Sequence, residues 1–269
     1  MPIILDFNPC QGHVEQPNAY LTCVPSLPLR NWVQSFWQLS VPKGKYYYRS
    51  VPDNCVDLIV NANCSQDIYI VAPFSSSIVF ELEGPAIYFG IRFQVLGHSG
   101  IITTPLGEWG GAGVMQASEL LPSHILDSIY ERLSGTLKFE LRCQNLATYL
   151  LSISVDHYQG IDLRLARYVR FCNELVASRI CISDQQCAEF GLSSRQLRRL
   201  SQHYMGLSPR ELARVFRFQS MLNRMNVSND MEAWADHYHD QPHFIREFKR
   251  LSGVTPTQLR DLSVLYNKD

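Results

Sequence analysis

Two stretches of this chain repeat each other 47 residues apart: Leu197, Arg199, Gly206, Leu207, Ser208, Pro209 and Leu212 recur as Phe244, Arg246, Gly253, Val254, Thr255, Pro256 and Leu259. Each copy reads as a basic helix, a glycine that stops it, and a new helix opened by Ser-Pro or Thr-Pro. Proline suits the first helical position, and the hydroxyl caps the free amides there. A shorter helical segment precedes each basic helix, so each copy is a helix-turn-helix. Two of them in tandem point to double-stranded DNA as the partner.

The rest of the sequence bounds this reading. With 269 residues, 46% hydrophobic and 18% charged, the chain has material for two domains, each with its own core. No apolar run reaches the roughly eighteen residues that a membrane span needs, and Met1 to Gly12 holds neither a basic residue nor a small-residue cleavage site. A cytoplasmic protein without membrane contact is expected. Eight cysteines, at 10, 23, 55, 64, 143, 172, 181 and 187, form no C-x-x-C pair, which argues against a zinc ribbon and a secreted disulfide scaffold. Buried free thiols are expected, with a redox sensor as the alternative. The formal net charge of −1 hides an asymmetry: residues 1–159 hold 8 Lys+Arg against 13 Asp+Glu, and 160–269 hold 16 against 12. Fourteen of those sixteen cations are arginine, whose planar fork suits guanine edges and phosphates.

From about 20 to 110 the sequence is strand-like, most clearly at Val56 to Val60, Asp67 to Val71, Ile78 to Leu82 and Ala86 to Phe93. Pro52-Asp53-Asn54 and Gly84-Pro85 read as turns. Short strands between turn signals predict a β-barrel or double-sheet roll. Helical spacing follows in Leu126, Ile129 and Leu133, then in Leu137, Leu141, Thr148 and Leu151; these are covering helices and, equally, a candidate dimer seam. A polar connection is expected within 152–162, dividing a β-rich regulatory or dimerisation domain (1–155) from an all-α domain (160–269). Seven helices are expected in the second half. Leu165, Tyr168, Cys172, Leu175 and Val176 form the first apolar face. Ser183 with Gln186 and Ser193 with Gln196 are capping boxes, and the second unit occupies 231–239, 241–252 and 256–264.

This arrangement resembles the AraC/XylS family of bacterial transcription regulators. The likeness rests on Gly191 through Arg199, Gly206-Leu207-Ser208-Pro209, Arg217, Asp240 through Arg250, and Ser252 through Arg260. The N-terminal half is similar to a cupin-like sensor domain of such regulators through Trp37, Pro52 through Asn61 and Gly90-Ile91-Arg92-Phe93. The resemblance implies a DNA-binding activator that works as a homodimer with RNA polymerase, controlled by a small-molecule effector in the β-rich domain, and with no cofactor. Three residues depart from the pattern: His237 stands where the second turn usually has glycine, Glu232 where the supporting helix is aliphatic, and Ser201 where the first reading helix has a large apolar residue. His237→Gly is expected to relieve strain there.

On a reading helix, residues near the N-terminal end face base edges and flanking residues meet phosphates. With Leu197 and Leu200 turned inward, Arg195, Arg198 and Arg199 point out and Ser194 lies near the DNA backbone; Arg195 and Arg199 are the candidate guanine readers. In the second unit Phe244 and Phe248 are core. Gln241, His243, Ile245 and Arg246 reach the groove, while Lys249 and Arg250 suit phosphates. A metal site on His237, His239 and His243 is disfavoured, because Asp240 and Pro242 mark a turn and a helix start between them. A thiol enzyme built on Cys55, with Asp53, Asp57 and His98 or His124, is disfavoured too: nothing local activates the thiol, and no phosphate loop or nucleophile elbow appears.

Overall fold

The computed structural model describes residues 7–109, 113–135, 138–157, 161–174, 183–228, 238, 240–261 and 263–267. The strand-like part forms one antiparallel sheet of β1 (Tyr20–Cys23), β2 (Val33–Ser50), β3 (Asp57–Asn61), β4 (Ile68–Val71), β5 (Ile78–Phe93) and β6 (Val114–Gln116), paired in the order β1-β2-β5-β3-β4-β6. A last short strand, β7 (Leu265–Tyr266), returns from the other end of the chain to pair with Tyr47 and Tyr48 of β2.

The runs at 78–82 and 86–93 were expected as separate strands, but they join in β5, which passes straight through Gly84-Pro85. The reason is local. The pairing of β2 with β5 shifts register between Val41 and Gly44, and a side-chain carbon at Gly84 would stand 1.8 Å from the Pro42 carbonyl oxygen. Glycine lets the two strands press together at this bend, and the irregular register accommodates the proline's missing amide.

Period-2 alternation then sorts the side chains. Phe36, Leu58, Ile70, Phe89 and Ile91 point to one face, where α1 (Ser123–Leu133) and α2 (Phe139–His157) cover them with Ile129, Leu133, Leu146 and Leu150. The other parity lines a cavity reached by every strand of the path, through Tyr20, Trp37, Asp57, Tyr69, Tyr88 and Val114. The β-rich domain is thus antiparallel as expected, but as a roll of one sheet in place of two. Among the described residues its edges, β1 and β6, do not pair with each other.

In α2 the expected apolar face needs correction. Leu141 is 42% exposed and Thr148 is exposed, whereas Phe139, Cys143, Leu146 and Leu150 are buried; Leu137 lies outside the described residues. Two stripes of helical spacing coexist on this helix. The sheet selects the one holding Phe139, whose ring meets Phe89 at 5.9 Å. The helix also continues to His157, through the first part of the stretch expected as a connection.

The remaining helices are α3 (Leu163–Glu174), α4 (Asp184–Glu189), α5 (Ser194–Met205), α6 (Pro209–Ser228), α7 (Gln241–Ser252) and α8 (Pro256–Asp261). The helix expected over 231–239, with Glu232, His237 and His239, lies outside the described residues, as do Leu175 and Val176. Leu165, Tyr168 and Cys172 of α3 are buried as expected. The sheet and the helices share cores: Cys55, Val95 and Leu96 pack with Leu165, Leu197 and Phe216, and Val51 packs with Phe218, Phe248 and Leu251.

Candidate nucleic-acid interface

Each basic helix is framed by its own sequence. Ser193 caps α5 by accepting from the Gln196 amide at 3.2 Å, while the Gln196 side chain accepts from the Ser193 amide at 2.9 Å. Gly206, at φ 65°, ends α5, and Gly253, at φ 77°, ends α7. Asp240 caps α7 by accepting from the His243 amide at 2.7 Å, with Pro242 in the first turn. Reciprocal caps follow both glycines, Ser208 with Glu211 and Thr255 with Gln258. Ser183 with Gln186 opens α4 the same way.

Ser201, the departure in the first unit, is fully buried, and its hydroxyl donates to the Leu207 carbonyl at 2.7 Å. Ser252 makes the matching closure in the second unit by donating to the Phe248 and Val254 carbonyls. A serine thus fastens each helix to its own turn, a role that sequence reading missed.

With Leu197, Phe244 and Phe248 in the core and Leu200 half-buried, the structure leaves Ser194, Arg195, Arg198 and Arg199 exposed on α5. Gln241, His243, Ile245, Arg246, Lys249 and Arg250 are exposed on α7. His243 is drawn partly inward: its Nε2 lies 3.6 Å from Glu247 and its ring packs edge-on to Tyr238. Arg217, noted only for the resemblance, donates from Nη2 to Glu247 at 2.6 Å and lies over the Tyr238 ring, tying α7 to α6.

The sheet half grips this helical half at several points. Asn54, in the left-handed conformation at φ 61°, donates to the Leu212 carbonyl at 3.0 Å. Gln219 donates to the Pro52 carbonyl at 2.6 Å and exchanges two hydrogen bonds with the Cys10 backbone. These contacts hold α6, the helix that follows the first unit and packs on the second. Near the C-terminal end of α5, Gly107 sits so close that a side-chain carbon there would be 2.6 Å from the Gln202 carbonyl oxygen. The buried His98 ring donates to the Tyr204 backbone, and burial depresses its pKa to about 4.

Behind the gripping loop lies a charged cluster that sequence reading missed. Arg92 forms ion pairs with Asp57 at 3.0 Å and Asp53 at 3.1 Å, and Trp37 Nε1 donates to Asp57 at 2.9 Å. Asp53 also accepts from the Cys55 amide, closing the expected turn, and from Gln11. Burial raises the Asp53 carboxyl to about 6 against the pull of Arg92. The signal was present: Trp37, Asp53, Asp57, Gly90 and Arg92 all fall in the segments that carry the N-terminal likeness.

Burial also pushes up the thiols of Cys10, Cys55, Cys143, Cys172 and Cys187, the Cys172 thiol to about 12. Those groups are protonated near neutral pH and poor nucleophiles.

Two exposed basic helices, each capped at its start and stopped by a left-handed glycine, define the class: the chain carries a helix-turn-helix domain behind an antiparallel β-sheet domain. Residues 186–261 match the family described as "Helix-turn-helix domain", and residues 21–115 match "Domain of unknown function (DUF6597)". No curated protein matches the chain. Among solved structures the chain is similar to an apo variant of ToxT from Vibrio cholerae, at 12% identity and a TM-score of 0.42, covering 91% of this chain and 97% of that one. It is also similar to wild-type ToxT from Vibrio cholerae with unsaturated fatty acid bound, at 11% identity and a TM-score of 0.40, over 91% and 95% of the two chains. No helix of the described residues is long and apolar enough to cross a membrane.

Proposed function

We propose that the chain is a cytoplasmic, sequence-specific regulator of transcription in which α5 and α7 read two successive major grooves of double-stranded DNA. The observation that carries this is the tandem of arginine-bearing helices, each held by an N-terminal cap, a stop glycine and a reciprocal cap beyond it while its contact side chains stay exposed. Arg195 and Arg199 suit guanine, Gln241 suits adenine, Arg246 suits guanine or phosphate, and the exposed Ile245 suits a thymine methyl. Ser194, Arg198, Lys249 and Arg250 suit the phosphates, and so does His243 when it leaves Glu247.

The roll is the regulatory part in this reading. Its cavity wall includes Asp57 and Arg92; Arg92 also holds Asp53, and the adjoining Pro52 and Asn54 hold α6. An effector that repositions Arg92 therefore acts on the helix between the two readers. Activation, a homodimer and contact with RNA polymerase belong to the same proposal and rest on the family resemblance alone. The five raised thiols favour this reading over a thiol enzyme or a redox sensor built on them.

Footprinting on selected target DNA tests the geometry, with two protected segments about 34 Å apart on one face expected. A single protected segment under all conditions contradicts it. Arg199→Ala and Arg246→Ala should each weaken the specific complex by about 1–3 kcal/mol and relax preference at one base pair. Equal weakening on every sequence would assign these arginines to phosphates.

A further inference from the structure

The cavity inside the roll has a volume of about 230 Å³, room for about eight waters at roughly 30 Å³ each. Its wall is aromatic, with Tyr20, Trp37, Tyr48, Tyr69, Phe80 and Tyr88. The Tyr20 and Trp37 rings stack at 6.0 Å.

The charges on this wall are unbalanced. Asp57, Asp67 and Glu81 face a single cation, Arg92, among the described lining residues. Glu81 is matched by Lys45 at 2.6 Å, both well exposed at the mouth. Deeper in, Arg92 is committed to Asp57 and to Asp53 behind the wall, two carboxylates for one guanidinium. Asp67 accepts from the Asn61 amide at 3.2 Å, and among the described residues no cation lies within ion-pair distance of it. Asp67 lines the cavity with two tyrosines: Tyr69 is two residues further on the same side of the strand, and Tyr88 lies across Asn61, which pairs with Asp67 on one side and Tyr88 on the other.

We propose that this cavity binds a small organic cation, an ammonium on an apolar or aromatic body, with the charge held between Asp67 and the faces of Tyr69 and Tyr88. A cation over aromatic rings gains from their quadrupoles, and more so when shielded from water. An anion would enter a wall whose one guanidinium is already shared and would meet Asp57 and Asp67 at close range, losing its hydration without a partner. A neutral ligand gains the apolar contact alone. The proposal rests on the reading of the cavity as the effector site and adds the class of effector.

Titration calorimetry on the full chain, with three probes of similar size, tests it: benzyltrimethylammonium, 3-phenylpropionate and 3-phenyl-1-propanol. The cation is expected to bind about tenfold tighter than either of the others, the order of a shielded cation–ring contact. Asp67→Asn, which can keep a polar contact to Asn61, should reduce that advantage about tenfold and leave 3-phenyl-1-propanol unchanged; Tyr88→Leu should weaken the cation more than the alcohol. Equal or tighter binding of the carboxylate, no binding of the cation, or a cation affinity indifferent to Asp67→Asn in a folded variant overturns the proposal. DNA affinity measured alongside separates the two readings. Cation binding that leaves DNA affinity unchanged defeats the regulatory reading while upholding the ligand class, and a DNA response to the carboxylate alone does the reverse.

Discussion

Trp37 lies flat across Gly90 because only hydrogen fits beneath it: a side-chain carbon at position 90 would stand 1.9 Å from the indole Cε2 and 2.3 Å from Nε1. The ring cannot swing away cheaply, since Nε1 donates to Asp57 and the opposite face stacks on Tyr20. One glycine on β5 thus sets the position of the tryptophan on β2, the carboxylate on β3 and, through it, Arg92. Gly90→Ala is expected to cost about 1–3 kcal/mol, as overpacking in a filled core does, measured as a lower urea midpoint with unchanged slope. A variant as stable as the parent would mean that the indole has room the packing denies it. Position 90 has no left-handed backbone; the requirement comes from a close approach alone.

At the scale of elements, α7 is fastened to α6 by Glu247, which accepts from Arg217 at 2.6 Å, with Arg214 at 3.8 Å and His243 at 3.6 Å around it. The Glu247 side chain is only 11% exposed, so removing it strands the Arg217 guanidinium against the Tyr238 ring. Glu247→Ala should lower stability by about 1–3 kcal/mol, the cost of an unpaired, largely shielded polar group. It should also fade the α7 segment of a DNA footprint while leaving the α5 segment intact. Equal loss of both segments would show that the clamp supports the whole domain and not the second reader. The caps and stop glycines around α5 and α7 were legible in the sequence because each is a contact within four residues. The Arg217–Glu247 clamp and the Asp53–Asp57–Arg92 cluster were not, because their partners are separated by 30 and 35 residues or more and meet only once helix packing and strand register are fixed. The same holds for α2, where two stripes of equal periodicity compete and only the facing sheet decides between them. The joining of two expected strands into β5 depended on the register shift opposite Gly84, which a single strand's sequence does not display.

Over the whole molecule, the two halves are not beads on a string. Val51 of the sheet half lies in the core of the second reading unit, Val95 and Leu96 lie in the core of the first, and β7 returns the chain's far end to β2. Neither helical core is complete without the roll. Unfolding should therefore be one cooperative transition: the fluorescence of a Trp234→Phe chain, which keeps Trp32, Trp37 and Trp109 in the sheet half, and helical circular dichroism should lose their signals at the same midpoint. Midpoints separated by several degrees would show that the halves hold together independently. Such coupling gives a physical route from cavity to reader, since any change in the roll is felt by helices that borrow its side chains.

The contact between His98 and α5 makes that coupling sensitive to acid. His98 is buried on a short 3-10 turn (Gly97–Gly100), and its ring donates to the Tyr204 backbone in the last turns of the first reading helix. Burial outweighs that bond and holds the ring neutral down to about pH 4, whereas an unfolded histidine takes its proton near pH 6.5. Between those values the unfolded chain binds a proton that the folded chain refuses, so this contribution to stability is whole above about pH 6.5 and is lost as pH falls toward 4. The size is on the order of 3 kcal/mol for a gap of that width. Asp53 works in the opposite sense: its carboxyl is raised to about 6 in the fold, so the folded chain takes up that proton first and gains stability on acidification through the same range. The two contributions oppose each other over that range. His98→Gln keeps a donor for the Tyr204 carbonyl and removes only the titrating group, leaving the Asp53 contribution common to both chains. Urea unfolding of the pair from pH 7 to 4 should then show the variant gaining on the parent by on the order of 3 kcal/mol, whereas parallel curves would mean that His98 is as free to accept a proton in the folded protein as in the unfolded one.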